Sequence, residues 1–396
     1  MQKNRTVTEA EELIQPLLTD LETIVNIDSG TYTKEGIDRV GSYLQRRFTD
    51  FGFGSYFDEQ TDYGNHLVAT HKGTNPAGPR LMFIGHMDTV FPDQEARKRP
   101  YTVTQHDGVR VAKGPGILDM KSGLLMGMYA LHLLITQQQD TYHSVTFICN
   151  SDEEIGSLSS KALISRLAKE MDAVMVLEPG RQLNAVVSAR KGIGHYRVEV
   201  EGIAAHAGVE PDKGRSAILE LAHQVVALQA LNGTVPGATL NVGIMHGGER
   251  TNVIPDSAYC ELDIRVSDHA GLEAIEAAMH SITAQPTVQG TKVTLSGGIR
   301  ALPFERNERS TRLLRLAQEA ASELGLTLED VASGGASDAN TTAGMGLPTI
   351  DGLGPAGGLA HNPDEYIELD TLPIRVAFIS KLVQHICASY QHGNQL

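Results

Sequence analysis

The 396-residue sequence predicts an α/β protein: a mostly parallel sheet covered by helices, interrupted by a smaller inserted α+β module. Three observations carry that expectation. Apolar runs at 81–84, 145–149 and 173–177 have the length of strands, and each passes at once into polar residues, in GHMDTV, NSDEE and EPG. The intervening segments 121–136 and 157–169 place apolar residues at helical spacing, so strand and helix alternate as the crossovers of a parallel sheet require. Near residue 189 the texture changes. HYRVEVEG, ATLNVGIM and AYCELDIRVS alternate with a period of two, and 216–231 and 271–284 read as helices, which predicts antiparallel strands with helices on one face. The pattern of the first part resumes at Ser310 and ends in a helix over 372–390. The expected domains are therefore 1–188 with 301–396, and an insert over 189–300.

Composition narrows the function classes. A content of 41% hydrophobic and 20% charged residues is ordinary globular usage. The net charge of −15 repels phosphate backbones and anionic bilayers, which argues against nucleic acid and membrane surfaces as partners. Cys149, Cys260 and Cys387 are far apart and form no CxxC, so buried thiols are expected rather than a disulfide framework or a thiolate metal site. The first twenty residues lack the apolar segment of a secretory signal, and the apolar stretch 123–135 is too short to span a bilayer. A cytoplasmic location is the resulting expectation.

Ligands of open parallel sheets gather beyond the carboxyl ends of the strands, where the polar tails lie. His86 and Asp88, two residues apart after a strand, can act as a metal-binding imidazole and a carboxylate that orients a ligand, or simply as loop hydrogen-bonding groups. Asp119 in KGPGILDMKSG stands before an apolar helix, as a ligand or as its N-cap. Asp152, Glu153 and Glu154 crowd together with no basic neighbour, which is unfavourable without a cation unless the turn is solvated. Adjacent carboxylates diverge, so one can hold a metal while the other faces a water. Glu178 ends a strand in VLEPG, and His361 lies in the glycine-rich GPAGGLAHNPDEY. Jointly, His86, Asp119, Glu154, Glu178 and His361 are a nitrogen and oxygen set suited to two Zn²⁺ ions, with Co²⁺ or Mn²⁺ also accepted. Glu153 is the candidate base that activates water.

The order GHMDTV, GPGILDMKSG, NSDEEIGS, VLEPG and LAHNPDE resembles the co-catalytic two-zinc amidohydrolases, a family that includes aminoacylase, acetylornithine deacetylase, succinyl-diaminopimelate desuccinylase and carboxypeptidase G. The resemblance covers nearly the whole chain. It implies a zinc peptidase catalytic domain with an inserted lid and dimerisation domain. His86, Asp119 and Glu178 would hold one zinc, and Asp119, Glu154 and His361 the other, with Asp119 bridging. Asp88 would orient the first histidine, and His206 in AAHAG would stabilise the tetrahedral oxyanion across the interface of a homodimer. Asn252 and Arg265 in GGERTNVIPDSAYCELDIR match substrate-carboxylate contacts, and Arg300 in SGGIRALPFE resembles a second arginine of the carboxypeptidase G type.

That type implies release of a C-terminal glutamate from N-acyl or folate-like substrates. Two departures keep other substrates open: GGASDAN does not duplicate the corresponding loop, and the Arg190-Lys191-Gly192 step of SARKGIGHY also occurs in aminoacylase-like and dipeptidase branches. A broad N-acyl amino acid deacylase or dipeptidase is the enzymatic alternative. A metal-stabilised dimer that binds amino acid derivatives without turnover is the non-enzymatic one.

Overall fold

Strands without polar alternation need cover on both faces. Accordingly, the three apolar runs lie inside one six-stranded sheet of order Gly54–Asp58, His66–Lys72, Ser144–Asn150, Arg80–His86, Ala173–Val176, Thr349–Ile350. The last four strands are mutually parallel, and the first two add an antiparallel edge. This computed structural model describes residues 4–180, 182–391 and 396. The sheet belongs to a first unit made of the chain up to Ser188, Arg306–Ala332 and the chain from Ser337 on. Phe83 and Phe147 stack in its core, and Phe48 of the helix Lys34–Asp50 meets Phe147 edge-on. The helix Ser122–Thr136 is apolar nearly all round and buried nearly all round, with Arg5–Val25 and Leu372–Gln391 packed against it.

Register decides where the polar tails emerge. His86 pairs with Asn150, and Ile84 with Val176, so the three central strands end at one level. The amide of Leu177 donates to Ile84, which brings Glu178 up beside His86. The helix after the acidic turn begins at Ser160 rather than at 157, because Gly156 and Ser157 both adopt left-handed backbone, at φ 92° and 56°, and close the turn first.

The second unit, Ala189–Glu305 with Ser333–Ala336, is a four-stranded antiparallel sheet of order Thr239–Gly247, Ser257–Val266, Gly192–Glu201, Lys292–Ala301. Its central strands alternate buried and accessible residues. Val198, Val200, Cys260, Leu262 and Ile264 form its core with Leu221 and Leu228 of Ala217–Gln229 and with Ile275 and Met279 of His269–Thr283. All three cysteines are buried free thiols. Among the described residues no helix is long and apolar enough to cross a membrane.

Candidate metal centre

The strand Arg80–His86 delivers His86 fully buried at its end. Its Nδ1 lies 2.9 Å from the main-chain oxygen of Asp88 and 3.4 Å from Asp88 Oδ1. Nδ1–H is thereby committed, and Nε2 is presented to the site. The strand stops at His86, so Asp88 is not its next same-face residue. Its carboxylate turns inward, accepts from Thr31 Oγ1 at 2.7 Å and from the amides of Glu153 and Glu154 at 3.2 Å each. The backbone of Asp88 therefore orients His86 most closely, while its side chain chiefly fixes the acidic turn.

Asp119 does not cap the following helix. It sits in an irregular turn, Ile117–Lys121, and its two oxygens face two imidazoles. Oδ1 is 3.1 Å from His86 Nε2 and Oδ2 is 3.2 Å from His361 Nε2. Gly116, at φ 70°, permits this turn: a Cβ there would stand 2.3 Å from Thr89 Cγ2. His361, itself at φ 62°, also lies 3.3 Å from Glu154 Oε2. Glu178 Oε1 is 3.7 Å, and Glu153 Oε2 4.0 Å, from His86 Nε2. Ligand atoms of His86, Glu153 and Glu178, and of His86, Asp119 and Glu154, come within 4.8 Å of one another.

So many carboxylates around two imidazoles leave electrostatic signatures. Burial opposes the Asp119 charge, but hydrogen bonds from His361 and His86 outweigh it and hold the carboxyl below its ordinary range. Burial, then the charge of Glu178, pushes Glu153 well up. Burial also raises Glu154. His86 is raised well above its usual value: burial alone would lower it, and the bonds to Asp119 and Asp88 prevail. His361 is raised to about 10 by Asp119 and Glu154. It thus carries a proton at neutral pH in the metal-free protein, and a cation taking its place releases that proton. Glu154 Oε1 is buried without a hydrogen-bond partner, which is costly for a carboxylate unless a cation meets it. The donor set and this orphaned oxygen fit a hard to borderline divalent cation.

Residues to which the sequence assigns no role complete the surroundings. Asp338, fully buried, accepts from Asn150 Nδ2 at 2.7 Å and Ser157 Oγ at 2.5 Å, and so braces the acidic turn from behind. Asp152 accepts from Ser159 and Ser160 at the start of the next helix, which leaves Glu153 and Glu154 to face the site. Glu365 and Lys121 are also buried. Lys121, Asp338 and Glu365 lie in KGPGILDMKSG, GGASDAN and LAHNPDE, segments the sequence singles out without giving these residues a role, and Thr31 lies outside every such segment.

In the second unit, the short strand Ala205–His206 pairs with Val253–Ile254, and the amide of Ala207 donates to Asn252, so His206 and Asn252 are neighbours, both exposed. Arg265 is clasped by Asp263 at 2.7 and 3.1 Å on the open face of the sheet, and His195 lies 3.2 Å from the same carboxylate. Arg300 falls at the bulge between Ile299 and Ala301, two strands away from Arg265. The Asp-Ile-Arg spacing of two on a strand is the sequence feature that anticipates the Arg265–Asp263 pair.

The sequence profile of peptidase family M20/M25/M40 matches residues 82–385, a span that holds His86, Asp119, Glu153, Glu154, Glu178 and His361. Carboxypeptidase G2 of Pseudomonas sp. (strain RS-16) is 30% identical over 379 residues, covering 94% of this chain and 89% of that protein. Succinyl-diaminopimelate desuccinylase of Burkholderia cenocepacia (strain HI2424) is 29% identical over 322 residues, 77% of this chain and 82% of that protein. Among solved structures, aminopeptidase PepT from Bacillus cereus superposes with a TM-score of 0.80 at 25% identity, covering 94% of this chain and 98% of its own. With the family profile spanning these histidines and carboxylates and a relative 30% identical over 94% of the chain, the chain belongs to peptidase family M20/M25/M40 and is a metal-dependent peptidase or amidohydrolase of that family.

Proposed function

We propose that the protein is a two-zinc hydrolase that releases a C-terminal glutamate from N-acyl or folate-like substrates. The observation that carries the chemistry is the Asp119 carboxylate shared between His86 and His361, with Glu178 beside the first imidazole and Glu154 beside the second. His86, Asp119 and Glu178 would hold one ion, and Asp119, Glu154 and His361 the other. Two ions held there would polarise the scissile carbonyl and lower the pKa of a water, so that it can be deprotonated near neutral pH. Glu153 takes a proton from the attacking water as its oxygen adds to the carbonyl carbon. It returns the proton to the nitrogen as the C–N bond breaks, so the amine leaves neutral. Asp88 keeps Glu153 in place through the turn amides. His206 supplies a donor to the oxyanion.

Support for glutamate comes from the similarity to carboxypeptidase G2 and from the two arginines of the second unit. A substrate carboxylate reaches Arg265 in competition with Asp263, with Asn252 as a neutral hydrogen-bonding partner, and Arg300 is assigned to the second carboxylate. An Arg300→Ala enzyme is expected to lose most of its preference for N-acyl-glutamate over N-acyl-alanine, about tenfold or more in kcat/KM, as for a charge-assisted pair removed. Retained discrimination sinks the glutamate assignment. The similarities to a desuccinylase and an aminopeptidase favour a broader deacylase or peptidase as the second reading, which a product screen over C-terminal residues separates.

A homodimer belongs to the same reading. The edge strand Thr239–Gly247 exposes Ile244 and Met245, and the helix Ala217–Gln229 exposes Ile218, Leu219 and Val226. An unpaired strand edge with apolar neighbours invites a second copy. Sedimentation at micromolar concentration is expected to show a dimer, and a monomer there removes this part of the proposal.

A further inference from the structure

Two proposed ligands of one ion, Asp119 and His361, come from chain segments far apart in sequence, and something must hold their separation. Backbone pairing does part of this. Tyr366–Glu368 runs antiparallel to Val109–Lys113, with Tyr366 opposite Lys113, so the loop that follows His361 is stitched to the strand that precedes the Asp119 turn. Between that pairing and the two ligands sits Glu365. It is fully buried, and its Oε1 accepts the Ile117 amide at 2.9 Å, at the first residue of the Asp119 turn. Its own amide donates to Asn362, the neighbour of His361. One residue thus grips both ligand-bearing segments, by its side chain on one and its main chain on the other.

The carboxylate stays there at a cost. Its Oε2 is buried with no hydrogen-bond partner, and burial raises its pKa to about 8. Lys121, fully buried two residues beyond Asp119, donates from Nζ to the Ile27 carbonyl at 2.9 Å. A group kept in this environment for packing would be replaced without loss by an apolar one. The acceptor on Ile117 is what an apolar replacement cannot supply.

We infer that Glu365 is a positioning residue of the metal centre, joining the Ile117–Lys121 turn to the His361 loop so that Asp119 and His361 meet the same ion. It is not a ligand and touches no reacting atom. The inference rests on the proposed two-metal reading, and its test separates the two failures.

Metal-free wild type, Glu365→Ala, Glu365→Asp and Glu365→Gln are titrated with Zn²⁺ against a chromophoric chelator, with unfolding followed in parallel. Wild type is expected to take up two ions. Glu365→Ala and Glu365→Asp are expected to weaken the site of Asp119, Glu154 and His361 about 10–100-fold, the range for loss of a group that orients a ligand, and to weaken the site of His86 and Glu178 less, through their shared Asp119. Glu365→Gln keeps an acceptor for Ile117 and is expected to restore both sites. If Glu365→Ala does not fold, Glu365→Asp decides, since it keeps the carboxyl group and withdraws the acceptor by one methylene. Unchanged affinities in Glu365→Ala and Glu365→Asp, or the same weakening in Glu365→Gln, overturn the positioning role. A wild type that binds fewer than two ions overturns the two-metal reading instead.

Discussion

Glu153→Gln is expected to lower kcat by about 10²–10⁴-fold while the protein still binds two metal ions, a loss of roughly 3–5 kcal/mol of transition-state stabilisation. The amide has the shape of the carboxylate but cannot accept and return a proton. Its surroundings change little, because the turn is held by main-chain bonds to Asp88 and by Asp152 and Asp338 behind it. The geometry also poses an alternative that the same experiment resolves. Glu153 lies within ligand range of His86 and Glu178, so it could be read as a metal ligand instead of a base. A base predicts intact stoichiometry with lost turnover. A ligand predicts that one ion is lost with the activity, and wild-type turnover would refute both. Steady-state kinetics combined with metal analysis of the dialysed variant gives the answer.

The second large effect is expected for Asp119→Ala, which removes the carboxylate whose two oxygens face His86 and His361. Both ions should be lost together, with activity at background. Thermal unfolding reports this without any assay of turnover. An ion that binds only the folded chain stabilises it by about 2.7 kcal/mol at a free concentration roughly one hundred times its Kd. The wild type should therefore melt several degrees lower after chelation and recover with Zn²⁺. Asp119→Ala should melt at one temperature with or without the ion. If the variant still responds to Zn²⁺ as the wild type does, Asp119 does not bridge.

Much of the centre is legible in the sequence because it follows from strand ends. Leu81–Ile84, Val145–Cys149 and Ala173–Val176 are buried runs of strand length, and His86, Glu153, Glu154 and Glu178 are the polar residues that come next. In a parallel sheet those positions must share an edge. The role of Asp88 was less legible. Its spacing from His86 suggests a shared strand face, whereas the strand ends first and the side chain turns to the acidic turn. Arg265 reads as a substrate contact from its family context, and the spacing of two that puts Asp263 on the same strand face is the signal for their pairing.

The sequence by itself determined the α/β class and the strand ends on which ligands can stand, since both depend on local apolar patterning and on the short reach from one residue to the next. Tertiary structure alone decided how Asp119 and His361 come together, and which buried polar groups hold them. Thr31, Asp338, Lys121 and Glu365 meet their partners across distant segments, and a side chain's burial and hydrogen-bond partners are set by packing between such segments. No periodicity in the chain encodes contacts of that kind, so the residues that build the centre can be read in order while those that brace it become visible only once the sheet has formed.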